Sequence, residues 1–233
     1  MIIRFSFSSL TMLFLADVLF LQTSPFFGLQ DEDHLVPESK HSGRLAADVI
    51  DVGATGLTAG LYNAAANGLK VSIVADKGRV WPGYRLVGLM VSNDAWEKGV
   101  RTLSDLKGKR VGITQIGSTF HYMLGNILTK NGMNLQDVKP TPLGGVKNMM
   151  DAVAANRIET AFMVQPFCTV MEKKKLGHVM LWAGDEMRYQ IAAIFLSEKM
   201  VKNESLSLKF LRAYIRACRF YYDNCLIKKD GLP

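Results

Sequence analysis

The chain has 233 residues, of which 48% are hydrophobic and 21% are charged. This composition excludes a disulfide-held miniprotein and a largely disordered chain, and the length allows one large domain or two smaller lobes. The net charge of +7 suits either a nucleic-acid binder or a receptor for small anions. Cys168, Cys218 and Cys225 are too few and too far apart for a disulfide framework or a CxxC metal site.

Residues 1–21 have two interpretations. Arg4 and the apolar run over residues 10–21 resemble the start of a secretion signal, but Asp17 interrupts the run and no convincing cleavage site follows. The run is also shorter than the roughly 20 apolar residues that cross a bilayer. We therefore prefer a short strand over residues 2–7, with Ser8, Ser9 and Thr11 in the turn or helix start that follows it.

From about residue 44, short apolar runs alternate with longer helical segments. This rhythm predicts an α/β fold with mostly parallel sheets flanked by helices. The first part is predicted to hold a helix over residues 44–50, a buried strand over 51–54 and an Ala-rich helix over 55–67 with Thr55 as its N-cap. Residues 70–76 and 84–92 are the clearest strands, because both are rich in Val, Ile and Leu.

A second unit is predicted to begin in or after the polar stretch 94–107. Its predicted strands cover residues 110–115, 138–143, 159–164 and 178–183. Its predicted helices cover residues 119–130 and 146–156. Residues 190–196 then form another apolar strand, and residues 205–226 carry apolar side chains at helical spacing.

Two predicted strand-to-helix junctions combine small residues with a hydroxyl side chain. They are Thr55–Gly56 in the first lobe and Ser118–Thr119, after Gly117, in the second. The first turn of a helix leaves backbone N–H groups without partners and carries partial positive charge, so such an end can bind a carboxylate, sulfonate or phosphate. The alternative is that these residues only cap their helices, as Ser and Thr commonly do.

Two further turns are weaker candidates. Gly144 and Gly145 lack a capping hydroxyl, so they either approach a ligand or only close a tight turn. Gln165, followed by Pro166 and Phe167, ends a predicted strand with an amide side chain and an aromatic ring, which suits a ligand wall. The alternative is a strand terminator with Phe167 in the core.

The sequence shows no catalytic constellation. Its four histidines have neither HxxxH spacing nor cysteine partners, and it lacks the GxSxG, GxxxxGK[ST] and GxGxxG motifs. We therefore expect no metal and no cofactor. Basic residues at 101, 107, 109, 110 and 173–175 are expected to be solvated, because no recognised nucleic-acid module accompanies them, so we expect no nucleic-acid partner.

An ordered set of motifs resembles a known family. The set begins with residues 51–56 (DVGATG) and 70–77 (KVSIVADK) and continues with 105–112 (DLKGKRVG), 117–119 (GST) with Tyr122, 143–145 (LGG) and 165–167 (QPF). In this order the motifs resemble the solute-binding proteins of nitrate, sulfonate and taurine ABC importers. That group shares a fold with the thiamine-pyrimidine (NMT1/THI5-like) proteins. The resemblance extends from about residue 44 to residue 225.

The resemblance implies a type II periplasmic binding protein with two α/β lobes that close on a ligand. Lobe I would cover residues 1–92, lobe II residues 93–189, and residues 190–233 would return to lobe I, with crossings at 91–94 and 187–190. The implied ligand-binding residues follow strand ends or begin helices: Ser8, Ser9, Thr11, Thr55, Gly56, Ser118, Thr119 and Gln165. The implied setting is a periplasmic monomer that delivers a small solute to a permease and an ATPase.

The chain also departs from the family pattern. Residues 24–31 (SPFFGLQD) keep only the outline of the Lys-Gly-Phe-Phe and Gly-Leu-Asp-Val elements that family members usually carry. Members usually continue through further helices of the first lobe where this chain ends at Pro233. We therefore expect a truncated or degraded copy that lacks the carboxyl-terminal part of lobe I.

Three functions remain open from the sequence. The first is a receptor, without enzymatic activity, for a sulfonate, taurine, nitrate or a pyrimidine precursor. The second is an enzyme on the same scaffold, similar to the pyrimidine synthases that bind pyridoxal phosphate through a lysine. Lys70, Lys77 and Lys107 are the lysines considered for that role, although the cysteine-rich motif of those enzymes is absent. The third is a ligand-sensing module.

Overall fold

The computed structural model describes residues 2–7, 28–31 and 50–226. Ser8, Ser9 and Thr11, and all but the last residue of the helix predicted over 44–50, lie outside these ranges. The chain divides into two compact units. The first unit takes residues up to 55, residues 63–77 and residues from 192 onward, and the second takes residues 56–62 and 78–191.

The described residues form two sheets with helices after most strands. The strands, in chain order, are β1 (Ile2–Phe7), β2 (Gly28–Asp31), β3 (Val52–Gly56), β4 (Val71–Val80), β5 (Val87–Val91), β6 (Arg110–Ile113), β7 (Lys139–Pro142), β8 (Thr160–Val164), β9 (His178–Trp182) and β10 (Tyr189–Ser197). The α-helices are α1 (Ala59–Ala66), α2 (Asn93–Glu97), α3 (Thr119–Lys130), α4 (Val146–Ala154), α5 (Phe167–Lys173), α6 (Ala183–Glu186), α7 (Glu198–Lys202) and α8 (Glu204–Tyr221). The α/β fold class predicted from the sequence is confirmed.

The sheet of the first unit has the strand order β2-β1-β3-β10-β4. β1 pairs in parallel with both β2 and β3, and the strand predicted over residues 2–7 is confirmed. Helix α8 buries Phe210 and Tyr214 against Ile194 and Leu196 of β10, whereas Leu208 and Ile215, which belong to the apolar spacing read from the sequence, are exposed. The Tyr214 hydroxyl donates a hydrogen bond to the backbone oxygen of Asp76 (2.6 Å), which ties α8 to β4.

The sheet of the second unit has the strand order β7-β6-β8-β5-β9. β6 pairs in parallel with β7 and β8, whereas β5 is antiparallel to β8 and β9. Helix α3 places Phe120 against Phe162 of β8, with ring centroids 5.6 Å apart, and both side chains are fully buried. This packing fixes α3 directly over the strands whose ends carry the candidate site.

Apart from the short segment 56–62, the chain passes to the second unit at Gly78, within β4, and returns at Ala192, within β10. The sequence placed the first crossing at residues 91–94, which would leave β5 in the first lobe. The structure instead pairs β5 with β8 and β9 of the second sheet. The sequence prediction differs because the strands predicted over 70–76 and 84–92 are close in the chain and suggested a single lobe, whereas β4 itself passes from one unit to the other.

Helix α1 begins later than predicted. Thr55 lies inside β3 and does not cap the helix, which starts at Ala59. Thr58 takes that role, because its hydroxyl oxygen accepts a hydrogen bond from the Leu61 amide (3.2 Å). The sequence contains two threonines three residues apart, and the strand continues through the first of them.

Gly112 of β6 is a site where a methyl group has no space. A Cβ atom at this position would lie 2.7 Å from the Ala161 Cβ and 3.1 Å from the Leu143 Cδ1. Gly112→Ala is therefore expected to destabilise the second unit by about 1–3 kcal/mol. Gly125→Ala, in the interior of α3, is the matched control and is expected to stabilise by about 0.5–1 kcal/mol.

The measurement is urea unfolding followed by tryptophan fluorescence. All three tryptophans, Trp81, Trp96 and Trp182, belong to the second unit, so the signal reports on that unit alone. An unchanged urea midpoint for Gly112→Ala would contradict the close approach of β6 and β8.

Candidate functional site

The candidate site of the second unit lies at the carboxyl ends of β6, β7 and β8. Because these three strands are parallel, their ends meet at one edge of the sheet. Thr114, Leu143 and Gln165 are the residues that follow the strands, and helices α3, α4 and α5 begin just beyond them. The sheet therefore collects three strand-to-helix junctions along one edge.

The first of these junctions is the amino terminus of α3. Ser118 is fully buried, and its hydroxyl oxygen accepts a hydrogen bond from the His121 amide (3.3 Å), as expected of an N-cap. The Ser118 carbonyl accepts the Tyr122 amide (3.0 Å) and opens the helix. The amides of Thr119 and Phe120 precede any carbonyl that could accept them within the helix. They are the donors that a negative group could use.

The His121 side chain occupies one of the backbone amides at this helix terminus. Its Nδ1 accepts a hydrogen bond from the Gly117 amide (3.1 Å), so Nδ1 carries no proton and Nε2 carries it in the neutral ring. The Gly117 amide is therefore used within the protein. The donor role is left to the amides of Thr119 and Phe120, which follow it.

The second junction, at Gly144 and Gly145, is built around backbone hydrogen bonds. Gly144 has a φ of 83°, a conformation that favours glycine, and its amide donates to the Thr114 carbonyl (2.9 Å). This bond joins the loop after β7 to the loop after β6. Gly145 precedes α4 without a capping side chain, and Asn148 donates to the Leu143 carbonyl (2.8 Å).

Gln165 is half-buried at the third junction. Its Oε1 accepts hydrogen bonds from the Thr169 amide (3.3 Å) and the Thr169 hydroxyl (3.0 Å), so the side-chain oxygen stabilises the first turn of α5. Its Nε2 makes no hydrogen bond to the described part of the chain. Ligand contact by Gln165 stays a prediction, and it would use this amide nitrogen.

One aromatic pair lies at the start of α3. Tyr122 is half-exposed and contacts the Tyr189 ring at a centroid distance of 4.9 Å. The Tyr189 hydroxyl donates to the carbonyl of Leu57, whose amide in turn donates to the Ile191 carbonyl (3.0 Å). These bonds fasten residues 56–62 to the second unit. Sequence reasoning missed Tyr189, because its partner Tyr122 is distant in the chain.

The first unit has its own candidate residues at the carboxyl end of β3. Thr55 is only 3% exposed, and its hydroxyl has no hydrogen-bond partner in the part of the chain that the structure describes. The adjacent Ala54 carbonyl accepts a hydrogen bond from the Lys77 ammonium (3.2 Å). Gly56, the last residue of β3, is grouped with the second unit. Sequence reasoning selected Thr55 and Gly56 and missed Lys77 as a neighbour.

A second buried hydroxyl is without a partner at the equivalent point of the second unit. Thr114 directly follows β6, and its Oγ1 makes no hydrogen bond within the described ranges. A buried polar atom of this kind costs about 1–3 kcal/mol. Thr55 and Thr114 thus share one local design, a threonine at the carboxyl end of a parallel strand. The sequence signal was present in both cases but was recognised only at Thr55.

Two of the basic residues that were expected to be solvated have partners in the structure. Arg110 forms a two-point ion pair with Glu159, at 3.0 and 3.2 Å. Burial of Glu159 acts to raise its pKa, and the hydrogen bond and charge of Arg110 outweigh burial, so the pKa is lowered. Arg101 lies over the Trp96 ring at 3.7 Å from its centroid.

The chemistry of the remaining groups does not indicate a nucleophile or a metal centre in the described ranges. No three His, Cys, Asp or Glu residues there are grouped as metal ligands would be. Cys168 is fully buried, and burial raises the pKa of its thiol to about 12. No helix within those same ranges is both long and apolar enough to cross a membrane.

Residues 46–225 match the family model described as NMT1/THI5 like. No curated protein matches the sequence. Many solved structures match the fold.

The alkanesulfonate-binding protein SsuA of Xanthomonas axonopodis pv. citri, bound to MOPS, matches with a TM-score of 0.75 and 20% identity over 99% of this chain and 80% of that one. The periplasmic aliphatic sulphonate binding protein SsuA of Escherichia coli matches with a TM-score of 0.72 and 20% identity. The match covers 99% of this chain and 79% of that one. A conserved Candida albicans gene product with the generic periplasmic binding protein structural fold matches with a TM-score of 0.71 and 12% identity. The match covers 100% of this chain and 76% of that one. The fold is therefore that of the periplasmic binding proteins.

The buried state of Cys168 leads to a labelling prediction. At pH 8 a maleimide is expected to leave Cys168 unmodified in the folded chain, because the thiol is both protonated and inaccessible. Half-buried Cys218 is the internal comparison and is expected to react faster. Peptide mass spectrometry before and after unfolding in urea measures both rates. Equal labelling of the two cysteines in the folded chain would show that Cys168 is accessible.

Proposed function

Because the chain belongs to the NMT1/THI5-like family, we propose that it is a solute-binding receptor that captures a small anion. The proposed solutes are sulfonates, taurine, nitrate and pyrimidine precursors. The proposed partners are the permease and the ATPase of an ABC importer, and the proposed location is the periplasm. Capture includes closure of the two lobes on the solute, as the family resemblance implies.

The amino terminus of α3 is the observation that carries this proposal. Ser118 is buried and caps the helix, Thr119 and Phe120 present amides, and the partnerless Thr114 hydroxyl belongs to the same junction. Helix termini of this kind stabilise negative groups through their amides and their partial positive charge. The exposed side chains of Ile116 and Tyr122 beside these donors favour a solute with an apolar part.

The pyrimidine-synthase alternative has less support from the described residues. The Lys70 ammonium pairs with Glu198 (3.5 Å), and Lys77 donates to the Ala54 carbonyl, so two of the three lysines considered have other partners. A purified chain that absorbs in the visible or near-ultraviolet as a pyridoxal phosphate aldimine would support the enzyme instead.

The binding proposal predicts a charge effect at Ser118. Aspartate and asparagine side chains have nearly the same size, and both suit an N-cap. Of the variants Ser118→Asp and Ser118→Asn, only the first places a negative charge at the proposed anion site. We expect Ser118→Asp to weaken binding of ethanesulfonate, taurine or nitrate at least about tenfold relative to Ser118→Asn. Isothermal titration calorimetry measures the affinities.

The matched control is Ser197→Asp. Ser197 is also fully buried and also caps a helix, since its hydroxyl oxygen accepts from the Met200 amide (3.2 Å) at the start of α7. This variant is expected to bind like the wild-type chain. Equal affinities for Ser118→Asp and Ser118→Asn would remove α3 from the binding site, and no binding by the wild-type chain would contradict the receptor proposal.

Closure has a separate measurement. Saturating solute is expected to reduce the radius of gyration of the wild-type chain in small-angle X-ray scattering. Ser118→Asp, at the same solute concentration, is expected to leave it unchanged. A constant radius for a wild-type chain shown to bind by calorimetry would contradict closure while leaving binding intact.

A further inference from the structure

The carboxyl end of β3 carries a buried donor whose partner is not in the described chain. Thr55 is 3% exposed and its hydroxyl makes no hydrogen bond there, although folding normally pairs such a group. The residue before it, Ala54, is equally buried. In α/β sheets, ligands bind at the carboxyl ends of the strands, so this hydroxyl stands where a solute group would be expected.

Lys77 brings a positive charge to the same point. It lies on β4, which is separated from β3 in the sheet by β10. Its ammonium nevertheless reaches the Ala54 carbonyl, at 3.2 Å. The β10 residues Ala192 and Ala193 are small, and both are buried. All these residues belong to the first unit.

We propose that Lys77 and Thr55 together recognise the negative group of the solute in the first unit. This inference rests on the proposed receptor function and extends it. The Lys77 ammonium supplies the compensating charge and the Thr55 hydroxyl supplies one hydrogen bond. The element selects solutes with a full negative charge, such as a sulfonate or nitrate, over neutral molecules of the same size.

Substitutions at Lys77 separate charge from length. Lys77→Met keeps the apolar stem and removes the charge, whereas Lys77→Arg keeps the charge. With ethanesulfonate as the probe, we expect Lys77→Met to weaken binding at least about tenfold and Lys77→Arg to stay within about threefold of the wild-type chain. Binding by Lys77→Met is also expected to depend less on salt concentration, because one charge has been removed.

Lys70→Met is the matched control. Lys70 directly precedes β4 and its ammonium pairs with Glu198 (3.5 Å), but its side chain is 73% exposed and the pair lies at the surface. The same change of residue type there is expected to leave the affinity for ethanesulfonate and the salt dependence unchanged.

Substitutions at Thr55 are expected to change stability and solute affinity in opposite directions. Thr55→Val keeps the shape and removes a buried hydroxyl without a protein partner, so the variant is expected to unfold at higher urea concentration and to bind ethanesulfonate more weakly. Thr55→Ser keeps the hydroxyl and is expected to bind like the wild-type chain. A merely structural threonine would lose stability on conversion to valine and leave binding unchanged. Far-ultraviolet circular dichroism measures the unfolding.

The experiment is calorimetry with ethanesulfonate, taurine and nitrate on the wild-type chain and these five variants. Wild-type affinity retained by Lys77→Met and Thr55→Val would overturn this inference and leave the receptor function standing. If Lys77→Met does not fold, the Thr55→Val and Thr55→Ser pair decides. Absence of binding by the folded wild-type chain to all three solutes would overturn the receptor function and this inference together.

Discussion

Parallel pairing of β6 with β7 and β8 is the constraint on which the candidate site depends. It brings three strand ends to one edge of the second sheet, and each end is followed by a turn and a helix. The close approach that Gly112 permits beside Ala161 keeps β6 and β8 in register. Because the strands fix the edge and buried packing fixes α3 above it, the amides of Thr119 and Phe120 are oriented before any solute arrives.

The partnerless hydroxyls of Thr55 and Thr114 lower the stability of the fold, and we interpret them as groups kept for binding. Each costs free energy in the folded chain, and neither Thr55 nor Thr114 is used to cap its following helix, because Thr58 and Ser118 have that role. A hydroxyl kept at such a cost is typical of a site prepared for a polar guest. Lys77, whose long side chain extends across β10, adds charge to the first of these positions.

Local chemistry made much of this fold predictable from the sequence. The Gly117–Ser118–Thr119 junction gave the start of α3, because a serine after glycine and before an apolar helix has few other roles, and most of the strands followed from their runs of β-branched residues. Long-range contacts were not predictable. The reach of Lys77 to Ala54, the Tyr122–Tyr189 contact and the place of β5 in the second sheet depend on partners far apart in the chain. Thr55 was predicted as a cap because strand and cap signals overlap there.

The position of β10 has a consequence for how the chain is made. β10 lies between β3 and β4 in the first sheet, yet the ribosome synthesises it only after residues 81–188. During that interval β3 and β4 have emerged with unpaired edges, while the later unit can already complete its own sheet. The first sheet can therefore be completed only once β10 has been synthesised. Until then the unpaired edges of β3 and β4 are the part of the nascent chain that most needs protection from incorrect pairing.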